Sequence, residues 1–367
     1  MNSRDRVLTA LQHTNPDRAP FDLGSTDVTG IHTRAYVRLC DALGLPETPV
    51  LLDPLQGLAQ VSPAVRERLA IDTVGVWLNP TLCARDKAHV VDEWGTVWQL
   101  PEHGAWYEPS AFPLANATAA DIAVYRFPDP NDPVKLAGVV ERATQLFAQT
   151  DCALVANFSG ALLARGQLVR GPTQFLTDLL AEPDLAGEIM DHILDYNIQL
   201  VERFLDAVGS QIHVIKVSDD LGSQDNLLIS PALYRRMIKP RQAKFFAAIH
   251  RKTDARILYH SCGAVSKLID DFMEIGVDVL NPIQVSAKGM DTEALGKKYA
   301  GKIAFWGAVD NQGAISCGTP DAVTIDVGKR VSDLSANGGY IIASSHNLAP
   351  NTPVENILAL CQASRTK

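Results

Sequence analysis

The stretch YHSCGAV, residues 259–265, sets His260 and Cys262 two positions apart, between an apolar run and Gly263. In extended backbone, residues i and i+2 point to the same side. Imidazole nitrogen and thiolate sulfur are preferred donors for zinc. Two donors are not a site, because catalytic zinc commonly takes three protein ligands and keeps one position open. His346, at the end of the last apolar run, is the best third donor in the sequence. The competing reading makes Cys262 a small buried hydrophobe and His260 a hydrogen-bonded core histidine. The strand-end position, the glycine that follows and the candidate third ligand favour a metal site.

A carboxylate pair, Asp219-Asp220, follows the run HVIKVS. Adjacent side chains in extended backbone face opposite ways, so one of the two enters a site. There it would anchor substrate, relay a proton or support a metal ligand. The alternative is that both cap the loop or the helix starting near Ser230. Gln224 joins the same site or is solvated. Asn157, Asn281, Asp310 and Gln312 are substrate-binding candidates by hydrogen bonding, each with a structural role as the alternative. No GxGxxG or Walker A loop supports a nucleotide cofactor. GxSxG and HExxH are also absent.

The elements that must position these groups are short apolar runs, each followed by a helical stretch. Eight are legible: 19–24, 73–78, 153–158, 213–218, 255–260, 278–283, 302–307 and 340–345. Continuous apolar runs of this length suit parallel strands covered on both faces. Eight of them alternating with helices predict an α/β fold, a (β/α)8 barrel, with its site where strands end and loops begin. The candidate residues concentrate at those ends. Residues 1–18 are expected to form a leading helix, with Val7, Leu8 and Leu11 on one side. Residues 79–150 read as an insertion holding a β-hairpin over 88–100, turning near Glu93-Trp94-Gly95 and covering part of the barrel mouth. Ser62-Pro63, Ser230-Pro231, Thr319-Pro320 and Thr352-Pro353 look like helix starts, and Thr352-Pro-Val-Glu355 like a capping box. With no repeat and no linker-like stretch, residues 1–367 are expected to form a single domain.

The chain has 367 residues, 46% hydrophobic and 20% charged, enough for a large core. A net charge of -9 argues against wholesale binding to nucleic acid or anionic lipid. No run approaches the roughly 18 apolar residues of a membrane span. The charged start lacks the apolar region of a signal peptide. Six scattered cysteines without CxxC fit a reducing cytoplasm.

HSCG with VDVLNP, WGAVDNQ, SDDLGSQ and the closing SSHNLAPNTPVENI together resemble the uroporphyrinogen decarboxylase superfamily. The resemblance covers most of the chain and is strongest from about residue 165 onward. It implies the same barrel. Decarboxylases of the superfamily need no metal and carry an arginine-rich motif of the RQAGRYLPEY kind, where this chain reads DRAPFDLGSTDVTG. The other branch holds zinc methyltransferases that work with corrinoid proteins, of the methylcobamide:coenzyme M and demethylase types. Their pattern is HxC plus a distant cysteine. His260 and Cys262 match the first part, and His346 stands at the distant position, so the implied ligand set is His-Cys-His. The corrinoid-binding DxHxxG pattern is absent, which implies a corrinoid carried by a partner protein, or a thiol or pterin acceptor. The expected activity is zinc-dependent methyl transfer between a small methylated molecule, such as a methyl ether, and a corrinoid protein or thiol. Metal-independent decarboxylation and a non-catalytic ligand-binding barrel are the alternatives.

Overall fold

Seven of the eight expected runs are parallel strands. The computed structural model describes residues 1–366. Its main sheet contains Thr73–Trp77, Ala153–Asn157, Val214–Ser218, Arg256–His260, Val279–Asn281, Ala304–Val309 and Tyr340–Ser344, hydrogen-bonded in chain order. Most are buried along their whole length, as expected for strands covered on both faces. Inward-facing Val155, Val214, Leu258, Val279, Trp306 and Ile341 form one cluster, with Val7, Ala10 and Leu11 of helix Ser3–Leu11 packed into it. The leading helix thus fills the sheet's interior at the end away from the loops that carry the site.

The run at 19–24 is not a strand. Phe21 makes a single parallel bridge to Ile342. The amide of Asp22 donates to the Ile342 carbonyl, and the amide of Asp72 to that of Phe21, so this short segment touches both edges of the curled sheet. Two features cut it short. Pro20 has no amide to give a ladder. The buried Asp22 carboxylate takes the Ser25 amide, the hydroxyls of Thr29 and Thr73 and the indole N–H of Trp306, folding the chain into a loop.

The hairpin is present as His89–Asp92 and Val97–Gln99, with Glu93-Trp94-Gly95 in its turn. It is part of a four-stranded antiparallel sheet with Leu82–Ala84 and Glu108–Ala111. Ser62, Ser230 and Thr319 cap their helices as expected, each accepting an amide three residues on. The capping box at Thr352 is absent. The helix begins one residue later, at Val354, with Pro353 in the cap position and the Thr352 hydroxyl buried without a partner. The capping box that does form is Thr118 with Asp121.

Candidate metal centre at the strand ends

Strand register assembles the first half of the site. His260 is aligned with Ser218 on one neighbouring strand and with Asn281 on the other. The Asn281 amide nitrogen donates to the Trp306 carbonyl at 2.9 Å, which fixes its oxygen on His260 Nδ1 at 2.5 Å. Nδ1 is therefore assigned the proton, and Nε2 is left as the free donor, 3.3 Å from Cys262 Sγ. This is the support that metal-bound histidines usually have.

The loop after His260 is held by close backbone contact. Gly263 has φ +86°, and a β-carbon there would lie 2.5 Å from the carbonyl carbon of Gly222. Only glycine lets the two loops touch. The Cys262 amide donates to Asp220 Oδ1 at 2.9 Å and the Gly263 amide to Gln284 Oε1 at 2.9 Å. His346 comes from the loop after Tyr340–Ser344, where the Ser344 hydroxyl donates to its carbonyl at 2.6 Å. One ligand atom each from His260, Cys262 and His346 lie within 4.8 Å of one another. Tetrahedral zinc bonds of about 2.0–2.3 Å set donors about 3.3–3.8 Å apart, so the three atoms would draw about 1 Å closer around an ion. Two imidazoles and a thiol are a donor set that suits zinc.

Burial pushes the His260 imidazole down to about 4 and lowers His346 as well, so both are neutral, metal-competent bases at pH 7. Burial pushes the Cys262 thiol up, so without a cation it keeps its proton. A divalent ion reverses that balance.

The two carboxylates part company. Asp220 Oδ1 sits 3.7 Å from His260 Nε2. Asp219 is fully buried and points elsewhere, accepting the amides of Leu162, Leu163 and Ala164 at the start of helix Leu163–Arg170. Burial still outweighs those amides and raises it to about 6. Asn157 holds the loop after Asp22, donating to the Ser25 carbonyl and accepting the Asp27 amide. Asn281 acts on His260 as described. Gln224 is exposed and bridges Gln284 and the Ser286 carbonyl. Asp310 caps its own turn through the Gln312 amide, and the exposed Gln312 side chain accepts from Ser286. None of these last three makes a hydrogen bond to the triad.

Two residues escaped the sequence reading. Gln284 ties the Gly263 loop to Gln224. Lys216, 1% exposed, pairs with Asp27 at 2.6 Å inside the sheet. Its signal was a lysine within the otherwise apolar run HVIKVS.

Soft donors gathered at the carboxyl ends of a curled parallel sheet are the arrangement of α/β proteins that carry their sites on strand-end loops. The family model described as Uroporphyrinogen decarboxylase (URO-D) matches residues 104–366, and the chain belongs to that family. It is 26% identical over 204 residues to a methylcobamide:CoM methyltransferase, MtaA, of Methanosarcina barkeri, covering 53% of this chain and 56% of the relative. It is also 26% identical over 206 residues to a uroporphyrinogen decarboxylase of Methylobacillus flagellatus, covering 53% and 52%. The chain thus spans about half the length of these curated relatives. Among solved structures, a methyltransferase from Methanosarcina mazei superposes with a TM-score of 0.66 at 18% identity, covering 99% of this chain and 98% of that one. That likeness speaks for the fold.

Proposed function

We propose that this chain is a zinc-dependent methyltransferase that moves a methyl group between a small methylated molecule, for example a methyl ether, and a corrinoid protein or a thiol. The observation that carries the reading is the convergence of His260, Cys262 and His346 within 4.8 Å. Similarity to a methylcobamide:CoM methyltransferase supports it. We read residues 1–367 as one domain, with residues 20–22 as the eighth position of a (β/α)8 barrel, working in the cytoplasm. When bound, zinc would supply a Lewis-acid position that polarises an ether oxygen or a thiol. The chain's own residues do the rest. Asn281 keeps the His260 ring oriented. Asp220 would orient a substrate hydroxyl or thiol, or hold its proton, a role that its position 3.7 Å from His260 Nε2 supports. Asp219 fixes the loop before helix Leu163–Arg170. Zinc content of reduced protein tests the reading: about one equivalent is expected in the wild type, and its loss in His260→Ala and Cys262→Ser. A wild type without metal that still turns over would overturn it.

Metal-independent decarboxylation is the second reading, favoured by similarity to a uroporphyrinogen decarboxylase. Its polyanionic substrate wants converging, unpaired cations. Lys216, Lys135 and Arg165 are instead paired with Asp27, Glu93 and Asp92. Activity that survives chelation and Cys262→Ser would select this reading.

A further inference from the structure

Along strand Thr73–Trp77, at one edge of the main sheet, lies a cavity of about 300 Å³. That is the lower end of the range of small-molecule sites, about 300–1,000 Å³. Helices Pro63–Leu69 and Val139–Gln149 and the segment 51–54 close it in. None of His260, Cys262, His346 or Asp220 reaches its wall. Leu23, Val61, Val74, Val76, Leu78 and Leu146 make much of that wall aliphatic.

Among the described residues, no carboxylate lines this space, but two arginines do. Arg66 is 9% exposed, and among the described residues its guanidinium has no hydrogen bond and no ion pair. The other buried arginines all hold carboxylates: Arg6 binds Asp17 and Asp72, Arg170 binds Asp178, and Arg330 binds Asp326. The acids next in sequence to the cavity wall are engaged elsewhere. Asp72 is held by Arg6 and Arg18, and Asp53 takes the amides of Leu55 and Gln56. The second arginine, Arg142, gives its guanidinium to neutral oxygens only, chiefly Asn79 Oδ1 at 2.9 Å.

A guanidinium taken out of water without a partner is destabilising. Here it borders an open cavity, where its donors are left for a ligand. The planar fork suits a carboxylate, which accepts two parallel N–H bonds. The aliphatic wall suits an apolar body attached to that head. A bare anion would leave the wall against water.

We infer that this cavity is a ligand site, separate from the triad, for a small carboxylate with an aliphatic body, its head bound by Arg66. The inference goes beyond the methyltransferase reading and needs neither zinc nor turnover.

Calorimetric titration of the full-length protein with octanoate, octan-1-ol, acetate and inorganic phosphate tests it. Octanoate is expected to bind at least tenfold more tightly than the alcohol, which lacks the charge, and than the two anions, which lack the body. Arg66→Met, which removes the charge, and Val74→Phe, which fills the space, should each weaken octanoate at least tenfold. Unchanged circular dichroism confirms the fold of whichever variant is used. Octanoate that does not bind overturns the inference, as does equal or tighter binding of any of the other three, or octanoate affinity indifferent to both folded variants. Failure here would leave the metal reading standing, because zinc content is measured independently.

Discussion

Asp219 and Asp220 are consecutive, yet their carboxylates serve different structures. Asp219 closes the start of helix Leu163–Arg170 through three backbone amides, whereas Asp220 binds the Cys262 amide and faces His260. Extended backbone after strand Val214–Ser218 turns neighbours to opposite sides. Asp219→Asn puts an amide N–H among donors and should cost about 2–3 kcal/mol of stability, read by urea unfolding. Asp220→Asn, on a side chain 52% exposed, should leave stability within about 0.5 kcal/mol. Its methyl-transfer rate should fall about 100-fold. Reversal of the two patterns would reassign the pair.

His346 is the third member of the convergent donor set. If it is a ligand, His346→Cys should retain zinc and His346→Ala should lose it. Asn281→Ala frees the His260 ring and should weaken zinc affinity about 10- to 100-fold without unfolding, measured by competition with a chelator. Full affinity in both alanine variants would remove His346 and Asn281 from the site.

Zinc binding should release one proton near pH 7. The thiol of Cys262 is held protonated by burial, while both imidazoles are already neutral. Calorimetry in buffers of different ionisation enthalpy counts that proton. In Cys262→Ser the release should vanish along with tight binding.

Acid should destabilise the metal-free protein between pH 7 and 5, above the range in which ordinary carboxylates titrate. His213 accepts the Leu154 amide on Nδ1, and burial lowers it to about 4, as it does His260. Both pKa values fall below the unfolded value of about 6.5, so the unfolded chain binds more protons. Stability is then full above pH 6.5 and is lost as pH falls toward 4. Asp219, raised to about 6, acts in the opposite sense: its contribution falls as pH rises from about 4 to 6. Urea midpoints at pH 7 and 5 should show a net fall, smaller in His213→Asn. An unchanged midpoint would contradict the buried, neutral histidines.

The sequence alone determined the seven parallel strands to within about two residues of their ends, the hairpin and three helix caps, because burial on both faces and capping chemistry leave local, periodic marks. It also picked out His260, Cys262 and His346, since soft donors at strand ends stand out against apolar runs. It overread the segment at 19–24 and the box at Thr352. In both places the deciding partner is distant or the start shifts by one residue: Thr73 and Trp306 draw Asp22 into a loop, and Pro353 takes the cap. Only the tertiary structure decided which aspartate faces the triad, that Asn281 rather than Asp310 or Gln312 serves it, and that Lys216 and Asp27 neutralise one another. Those outcomes depend on strand register and on contacts between residues far apart in the chain, and no local pattern encodes them.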